Sequence, residues 1–420
     1  MTTSMTDYDA VLKELWPQER IDNLAFSQTP FLAIIKKRTD FTEKLRHIAL
    51  QYGNPQGRSA TFANAQGNVS ASLFSDWQIN RATDYAVGVI SGELLESSKD
   101  KKASIVSALD TEIKGSLTEL SRSLHKSLFG DGSGTLGPLS TTASIATPTA
   151  TLANVEDISK FAVGMTVVAA ATPTGAIRVG GAARALITAV DRDAGTVTTT
   201  ANWNALFTTL AAGDYLFVEG DAQNGGSAKK VMGLAGWLPT TTPTSTPFFG
   251  VDRTADPVSL AGVRYDGSAD GTKTEALQRA AARIMREGNG ATPTVVIMNP
   301  VDLGDLLVEL GSQKVFYSEV KAMSVKGKEM AAIGFDVVAV HTSAGAVKVL
   351  GDYECPLGLA YMLDMETWTF HSLLGAPRVV SDDGLNILRA ASSDGFEYRA
   401  VYRGQLACTA PGRNAVVTLP

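Results

Sequence analysis

The sequence predicts an α+β chain: one very long helix, an alternating α/β layer, and a separate all-β unit. Three observations carry this. Ile105, Leu109, Ile113, Leu117, Leu120, Leu124 and Leu128 recur at spacings of three and four, one stripe of a single helix over 101–129. Residues 139–240 turn rich in Thr, Ala and Gly, with short β-like runs. From 272 onward, helical and strand patterns alternate.

Residues 1–44 read as an arm. Tyr8 to Trp16 has brief helical periodicity that Pro17 stops, and Phe31 to Ile35 is a short apolar patch. Neither buries its own face, so both need another surface. Residues 45–98 read as a long hairpin, with 45–52 and 82–90 as its strands and a Gly-, Asn- and Gln-rich stretch between. A two-stranded ribbon is marginally stable alone, so this piece also calls for a partner. In the helix that follows, Asp110 and Lys114 make an i,i+4 pair, and His125 and Lys126 suit its negative C-terminal end. At about 1.5 Å per residue it spans roughly 43 Å.

The β-like runs of the next unit are 163–170, 184–190, 195–200 and 214–220, with a hairpin turn at 191–195. Residues 238–249, LPTTTPTSTPFF, read as an extended linker. Thr272-x-x-Glu275 is a capping box, and the helix it opens ends at Gly288. Residues 293–298 form a buried strand candidate. Asn299 then caps a helix with Pro300 in its first position, ending at Gly311. GFDVVAV (334–340) is another strand. In 396–403, Phe396, Tyr398, Ala400 and Tyr402 share one face and charged residues hold most of the other.

The chain has 420 residues, 44% apolar and 19% charged, with a net charge of −6. That length corresponds to roughly three domain-sized units. The low charge fraction predicts much buried surface, in the core or against partners. No overall basic excess draws the chain to nucleic acid or acidic membranes. Cys355 and Cys408 form no C-x-x-C pattern, so reduced thiols in a cytoplasmic setting are expected. The N-terminus lacks a signal-peptide pattern, and no apolar run of about 18 residues occurs.

Catalytic chemistry is hard to find. His47, His125, His341 and His371 are scattered without ligand spacing, and each reads as structural or surface. Asp191-x-Asp193-x-Gly195 starts like a calcium loop, but its twelfth position is Asn202 rather than Glu. Asp382 and Asp383 before Gly384 read as a turn. Gly132-x-Gly134-x-x-Gly137 matches a dinucleotide-binding fingerprint, with Asp157 about 20 residues on. That fingerprint must follow a strand and open a helix. Here it follows the helix, so Gly130 is read as the left-handed residue ending it, and Gly130→Val is expected to damage folding or assembly. No catalytic, cofactor or metal site is expected, and the chain is not read as an enzyme. A nicotinamide-dependent enzyme is the remote alternative.

Several stretches, in this order, resemble the major capsid proteins of tailed bacteriophages: YGNPQGRSATFANAQGN (52–68), DYAVGVISGELLESSKD (84–100), SLFGDGSGTLG (127–137), PTVVIMNPVDLGDLL (293–307) and LLGAPRVVSDDGL (373–385). The resemblance implies the Hong Kong 97-type capsid fold. Residues 1–44 would be the N-terminal arm, 45–98 the E-loop reaching over a neighbour, and 99–138 the P-domain spine helix. Residues 139–240 would be an inserted all-β domain, 241–272 a linker and P-domain return, 273–360 the A-domain, and 361–420 P-domain strands with a C-terminal return. The implied function is a shell of hexamers and pentamers enclosing double-stranded DNA without sequence-specific binding, in the virion, assembled in the host cytoplasm without a membrane. An encapsulin-like compartment holding an enzyme cargo is the alternative.

In some relatives an E-loop lysine makes a covalent cross-link, but no lysine lies between Lys44 and Lys99. The short segment before the ribbon leads to the expectation of a separate scaffolding protein, beside a portal and a possible decoration protein. Shell stability is expected from burial of Trp16, Phe31, Phe62, Phe74 and Trp77 on neighbours, with Arg58 and Arg81 as candidates for ion pairs across subunits.

Overall fold

The structure is a computed structural model that describes residues 29–93, 108–288, 290–312, 338–380, 388–389 and 394–420. The long helix runs Ala108–Phe129. Leu120, Leu124 and Leu128 are buried and Leu117 packs beside them, as the stripe predicts. Ile105 lies outside the described residues.

The helix lies on a six-stranded sheet whose longest strand is Gly395–Cys408. Ala82–Ser91 pairs antiparallel with it, and Tyr398 stands opposite Gly88. A side chain at Gly88 would have no room against the Tyr398 ring. Tyr398 Oη in turn hydrogen-bonds Ser116 Oγ at 2.7 Å and donates to the Glu112 carbonyl at 3.1 Å, fastening strand to helix.

This pairing corrects the expected hairpin. Leu45–Gly53 pairs not with 82–90 but with Leu73–Asn80. The inward face of Ala82–Ser91 carries small Ala82, Ala86 and Gly88 beside Ile90 and Asp84, the last accepting from Ser123 of the helix at 2.6 Å. Such small residues let a helix approach closely, and a two-stranded ribbon has no helix to offer. Leu73–Asn80 instead alternates so that Trp77 and Ile79 are both buried.

The arm is corrected too. Pro30–Ile34 is a short helix, and Phe31, Leu32 and Ile35 enter the main core of the same chain. Lys36–Arg38 then joins the sheet parallel to Trp368–Ser372. The surface these residues need is their own. The Tyr8–Trp16 segment lies outside the described residues. The end of the expected linker at 238–249 is also anchored: Phe248 and Phe249 pack on Trp237, with ring centroids 5.0 and 5.5 Å away.

A second sheet has the order Val263–Asp266, Ala415–Thr418, Leu359–Leu363, Val295–Met298, Gly345–Gly351, Val338–Thr342. Helices Lys273–Glu287 and Pro300–Ser312 belong to this layer. Thr272 Oγ1 accepts the Glu275 amide at 3.1 Å, and Asn299 Oδ1 accepts the Val301 amide at 3.0 Å, so both expected caps form. Alternate residues of Val295–Met298 serve different cores. Val295 and Ile297 point into the main core, and Val296 and Met298 into the core beneath the two helices. Strand 334–340 is described only from Val338.

A third sheet, all antiparallel, has the order Thr135–Pro138, Tyr215–Val218, Thr166–Ala170, Ala185–Asp191, Thr196–Thr199, Thr149–Thr151. It closes over its own core of Phe161, Trp203, Phe207 and Leu216. Asp191 Oδ1 accepts the amides of Asp193 and Ala194, both at 3.0 Å, which makes the expected turn.

The glycine run connects the long helix to this sheet and opens no helix. Gly130 is not in the left-handed region. That conformation falls on Gly132 and Gly134, both at φ 80°, and on Gly137 at φ 148°. The shift follows from the Asp131–Met232 bridge, which holds the chain extended just past the helix before it can turn. A Cβ on Gly134 would press on the Asp221 carbonyl at 3.1 Å and Lys230 Cγ at 3.3 Å, whereas one on Gly130 would make ordinary contact at 3.5 Å. Gly134→Ala is therefore expected to cost about 1–3 kcal/mol, and Gly130→Ala far less. Thermal unfolding of the two variants checks this, and equal losses would contradict the assignment.

Candidate functional site

The ribbon of Leu45–Gly53 and Leu73–Asn80 has two unlike ends. Its base is locked: Trp77 and Ile79 lie in the main core, and the Gln78 amide donates to the Phe249 carbonyl at 2.8 Å. Its tip has no core at all. The short helix Phe62–Gly67 buries none of its residues. Phe62 is 83% exposed, Val69 71%, Phe74 68% and Leu73 51%. Fully burying one large apolar side chain is worth about 1.5–3 kcal/mol, so this tip holds a substantial unspent driving force for association.

The seven residues expected at subunit contacts separate accordingly. Phe62 and Phe74 are exposed at the tip, and Arg58 is exposed on the same loop. Phe31 and Trp77 are 0% exposed within their own chain and have no surface left for a neighbour. Arg81 spends its charge locally: it donates to the Phe41 carbonyl at 3.2 Å and lies over the Phe41 ring at 5.4 Å. Trp16 lies outside the described residues. Val69 and Leu73 were missed, although isolated apolar residues in a Gly- and Asn-rich stretch were the available signal.

A second cluster is buried where the long helix, the β unit and the loop after Gly345–Gly351 meet. His125 Nε2 lies 2.8 Å from Asp352 Oδ2, both fully buried. The same oxygen accepts the Phe31 amide at 3.2 Å, and Oδ1 accepts the Glu354 amide at 3.1 Å. Lys126, on the same helix, donates to the Lys160 carbonyl at 2.8 Å, and Arg122 to the Ser159 carbonyl. Burial, then the nearby Arg122, push the Lys126 ammonium down to about 8. Glu354 is buried, and neither carboxylate oxygen has a hydrogen-bond partner among the described residues. Burial raises its pKa, opposed by Lys126, Lys160, His125 and Arg122.

None of this makes a catalytic set. His371 pairs with Asp40 at 2.6 Å and His47 with Asp76 at 2.5 Å, while His341 is exposed. Both cysteines are free and buried. Burial pushes the Cys408 thiol up to about 12 and Cys355 well above its ordinary value, which is the wrong direction for a nucleophile. Among the described residues no His, Cys, Asp and Glu group is set to hold a metal, and no helix is long and apolar enough to cross a membrane. Beside the glycine run lies a cavity of about 60 Å³ lined by Ser127, Gly132, Gly134, Thr135 and Lys230. It has room for a few waters and none for a dinucleotide. Asp157, the would-be ribose ligand, is bound to Lys160 at 2.7 Å.

The Glu354 environment has a testable sign. A carboxyl raised above its ordinary value of about 4.5 disfavours the folded state once ionised. The penalty is absent below that value and grows as pH rises through the folded one. Glu354→Gln is therefore expected to raise Tm at about pH 8, with the gain vanishing near pH 4. A drop in Tm at pH 8 that shrinks near pH 4 would contradict this, by showing that the surrounding cations hold Glu354 as a stabilising ion.

No family model and no curated protein matches the chain. Solved structures do. The Cyanophage A-1(L) capsid asymmetric unit is 15% identical with a TM-score of 0.51, covering 96% of this chain and 97% of that one. The capsid of an empty GTA particle scores 0.48 at 9% identity, covering 96% and 95%. The holo-SrpI encapsulin complex from Synechococcus elongatus PCC 7942 scores 0.46 at 7% identity, covering 97% and 93%. The first extends over nearly the full length of both chains, and by it this chain has the Hong Kong 97-type capsid fold.

Proposed function

We propose that this chain is a major capsid protein whose copies close into an icosahedral head around the double-stranded DNA of a tailed phage. The observation that carries the reading is the apolar ribbon tip, exposed on a chain with a capsid fold. A free monomer would keep Phe62, Val69, Leu73 and Phe74 in water. A shell offers each tip a neighbouring subunit. Obligate interfaces commonly bury more than about 2,000 Å², and a projecting ribbon is an efficient way to reach that.

In this reading residues 1–44 are the arm, the ribbon of Leu45–Gly53 and Leu73–Asn80 with its tip the E-loop, and 99–138 the spine segment. Residues 139–240 are an added β domain, 241–272 the return, 273–360 the axis-facing A-domain, and 361–420 the closing strands. Hexamers and pentamers of one chain form the shell. A separate scaffolding protein, a portal and a decoration protein are its proposed partners, and the virion its location. Catalysis has no part in the proposal. The missing E-loop lysine leaves association to non-covalent burial.

Electron microscopy of the purified protein tests the proposal, with icosahedral particles expected and a monomer under all assembly conditions contradicting it. Particles filled with an enzyme cargo would move the reading to an encapsulin-like compartment. Exposed ion pairs contribute only about 0–1 kcal/mol. Phe62→Ala is therefore expected to lower the yield of intact particles several-fold more than Arg58→Ala. Equal yields would show that the tip does not dock through its apolar side chains.

A further inference from the structure

The β unit meets the rest of the chain across a seam that neither apolar core bridges. Its own core, with Phe161, Trp203 and Leu216, and the main core, with Leu124, Leu128 and Val231, are separate clusters. The cavity of about 60 Å³ lies between them, lined by Leu136 and Val218 of the β unit and by Ser123, Lys126 and Val231 of the body. Polar contacts hold the seam beside it. Arg122 and Lys126, one turn apart on the long helix, donate to the carbonyls of Ser159 and Lys160, the latter at 2.8 Å. Those carbonyls end the 3-10 turn Val155–Lys160, where a helix presents its negative end to a cation.

The chain enters and leaves the β unit side by side, at a narrow stem. The entry passes Gly134 at φ 80° and the exit Gly220 at φ 95°. A Cβ on Gly134 would meet the Asp221 carbonyl at 3.1 Å, so the two passages touch, while one on Gly220 would meet open space. Lys230 fixes the body side of this stem by holding Asp221 at 2.9 Å and Asp84 at 2.6 Å. Beyond the stem, opening the seam exposes no shared apolar core. It exchanges two carbonyl contacts for water, and the net worth of such a hydrogen bond is small because water replaces the lost partner. Arg122 keeps Glu119 of its own helix at 3.5 Å. Lys126 is held down to about 8, first by burial, so hydration on opening favours its charged form.

We infer that the β unit is a rigid body latched to the long helix by Arg122 and Lys126, and that it swings about the stem at Gly134 and Gly220 when the latch opens. A hinge of this kind needs only a few residues to absorb the change in φ and ψ. In a closed shell the joint lets copies with unlike neighbours present the β unit at different angles while their bodies keep one conformation. That use rests on the capsid reading, whereas the joint itself does not.

The test places spin labels at Thr188→Cys on the β unit and Ala282→Cys on the Lys273–Glu287 helix, both exposed positions. The native cysteines are buried and stay unlabelled. Labelled chains are diluted in unlabelled ones, so each distance is measured within one copy. The wild type is expected to give one narrow distance distribution. Arg122→Met together with Lys126→Met is expected to widen it about two-fold or more, and Lys126→Arg alone to leave it narrow. The control Arg178→Met breaks a pair with Asp214, 2.7 Å long and wholly inside the β unit, and is expected to leave the width unchanged. A double variant as narrow as the wild type overturns the inference, as does equal widening by the control. Failure of the double variant to fold also overturns it, because the seam would then be part of the fold and not a latch. Widening in a chain that never forms particles would sustain the joint while refuting its use in a shell.

Discussion

The buried Trp237 ring is the contact on which most of the arrangement depends. Its centroid lies 5.2 Å from Trp77 of the ribbon and 6.4 Å from Trp368 of the sheet, with Phe248 and Phe249 closing the remaining sides. Its Nε1 donates to the Leu406 carbonyl at 3.3 Å. Segments far apart in the chain therefore meet at one side chain. Such aromatic pairs add about 0.5–1.5 kcal/mol each beyond the area they bury. Because Trp77 is fixed there, the ribbon leaves the body from a rigid base. Its tip can then stay apolar and extended without folding back onto the chain.

Around this aromatic centre, buried polar groups select one packing among many. Asp352 receives the arm through the Phe31 amide and the long helix through His125. Asn414 Oδ1 accepts the Asp364 amide at 2.8 Å and Trp368 Nε1 at 2.9 Å, while its Nδ2 donates to Thr367 Oγ1 at 3.1 Å. Lys230 bridges Asp84 and Asp221 at 2.6 and 2.9 Å, tying the sheet to the segment that leaves the β unit. Any shift that separates these partners leaves a buried charge or polar atom without compensation, at a cost of roughly 3–5 kcal/mol for an ion pair. Apolar contacts alone would permit such shifts, because one greasy surface fits another in several registers.

The molecule divides its surface by chemistry. Exposed large apolar side chains cluster at the ribbon tip, in Phe62, Val69, Leu73 and Phe74, and occur singly elsewhere, as at Val163, Val179 and Val308. Both cysteines are buried with raised thiol pKa values, and His47, His125 and His371 each face a carboxylate.

Much of this was legible in the residues. The leucine stripe, the caps at Thr272 and Asn299, and the Asp191 turn are written within a few positions of one another, and each formed as read. So was the failure of the glycine run as a cofactor loop, since its order after a helix is visible in the letters. What the sequence by itself determined was which stretches are helical, extended or turning, and which faces are apolar. Tertiary structure alone decided what covers each face. Phe31 and Trp77 look as available for a neighbour as Phe62 and Phe74. Periodicity reports that a side chain must leave water, but its cover can come from any part of the chain. The small face of Ala82–Ser91 likewise found its helix rather than the nearby strand, and Gly132 took the left-handed turn expected of Gly130, because contacts distant in sequence fixed the path between.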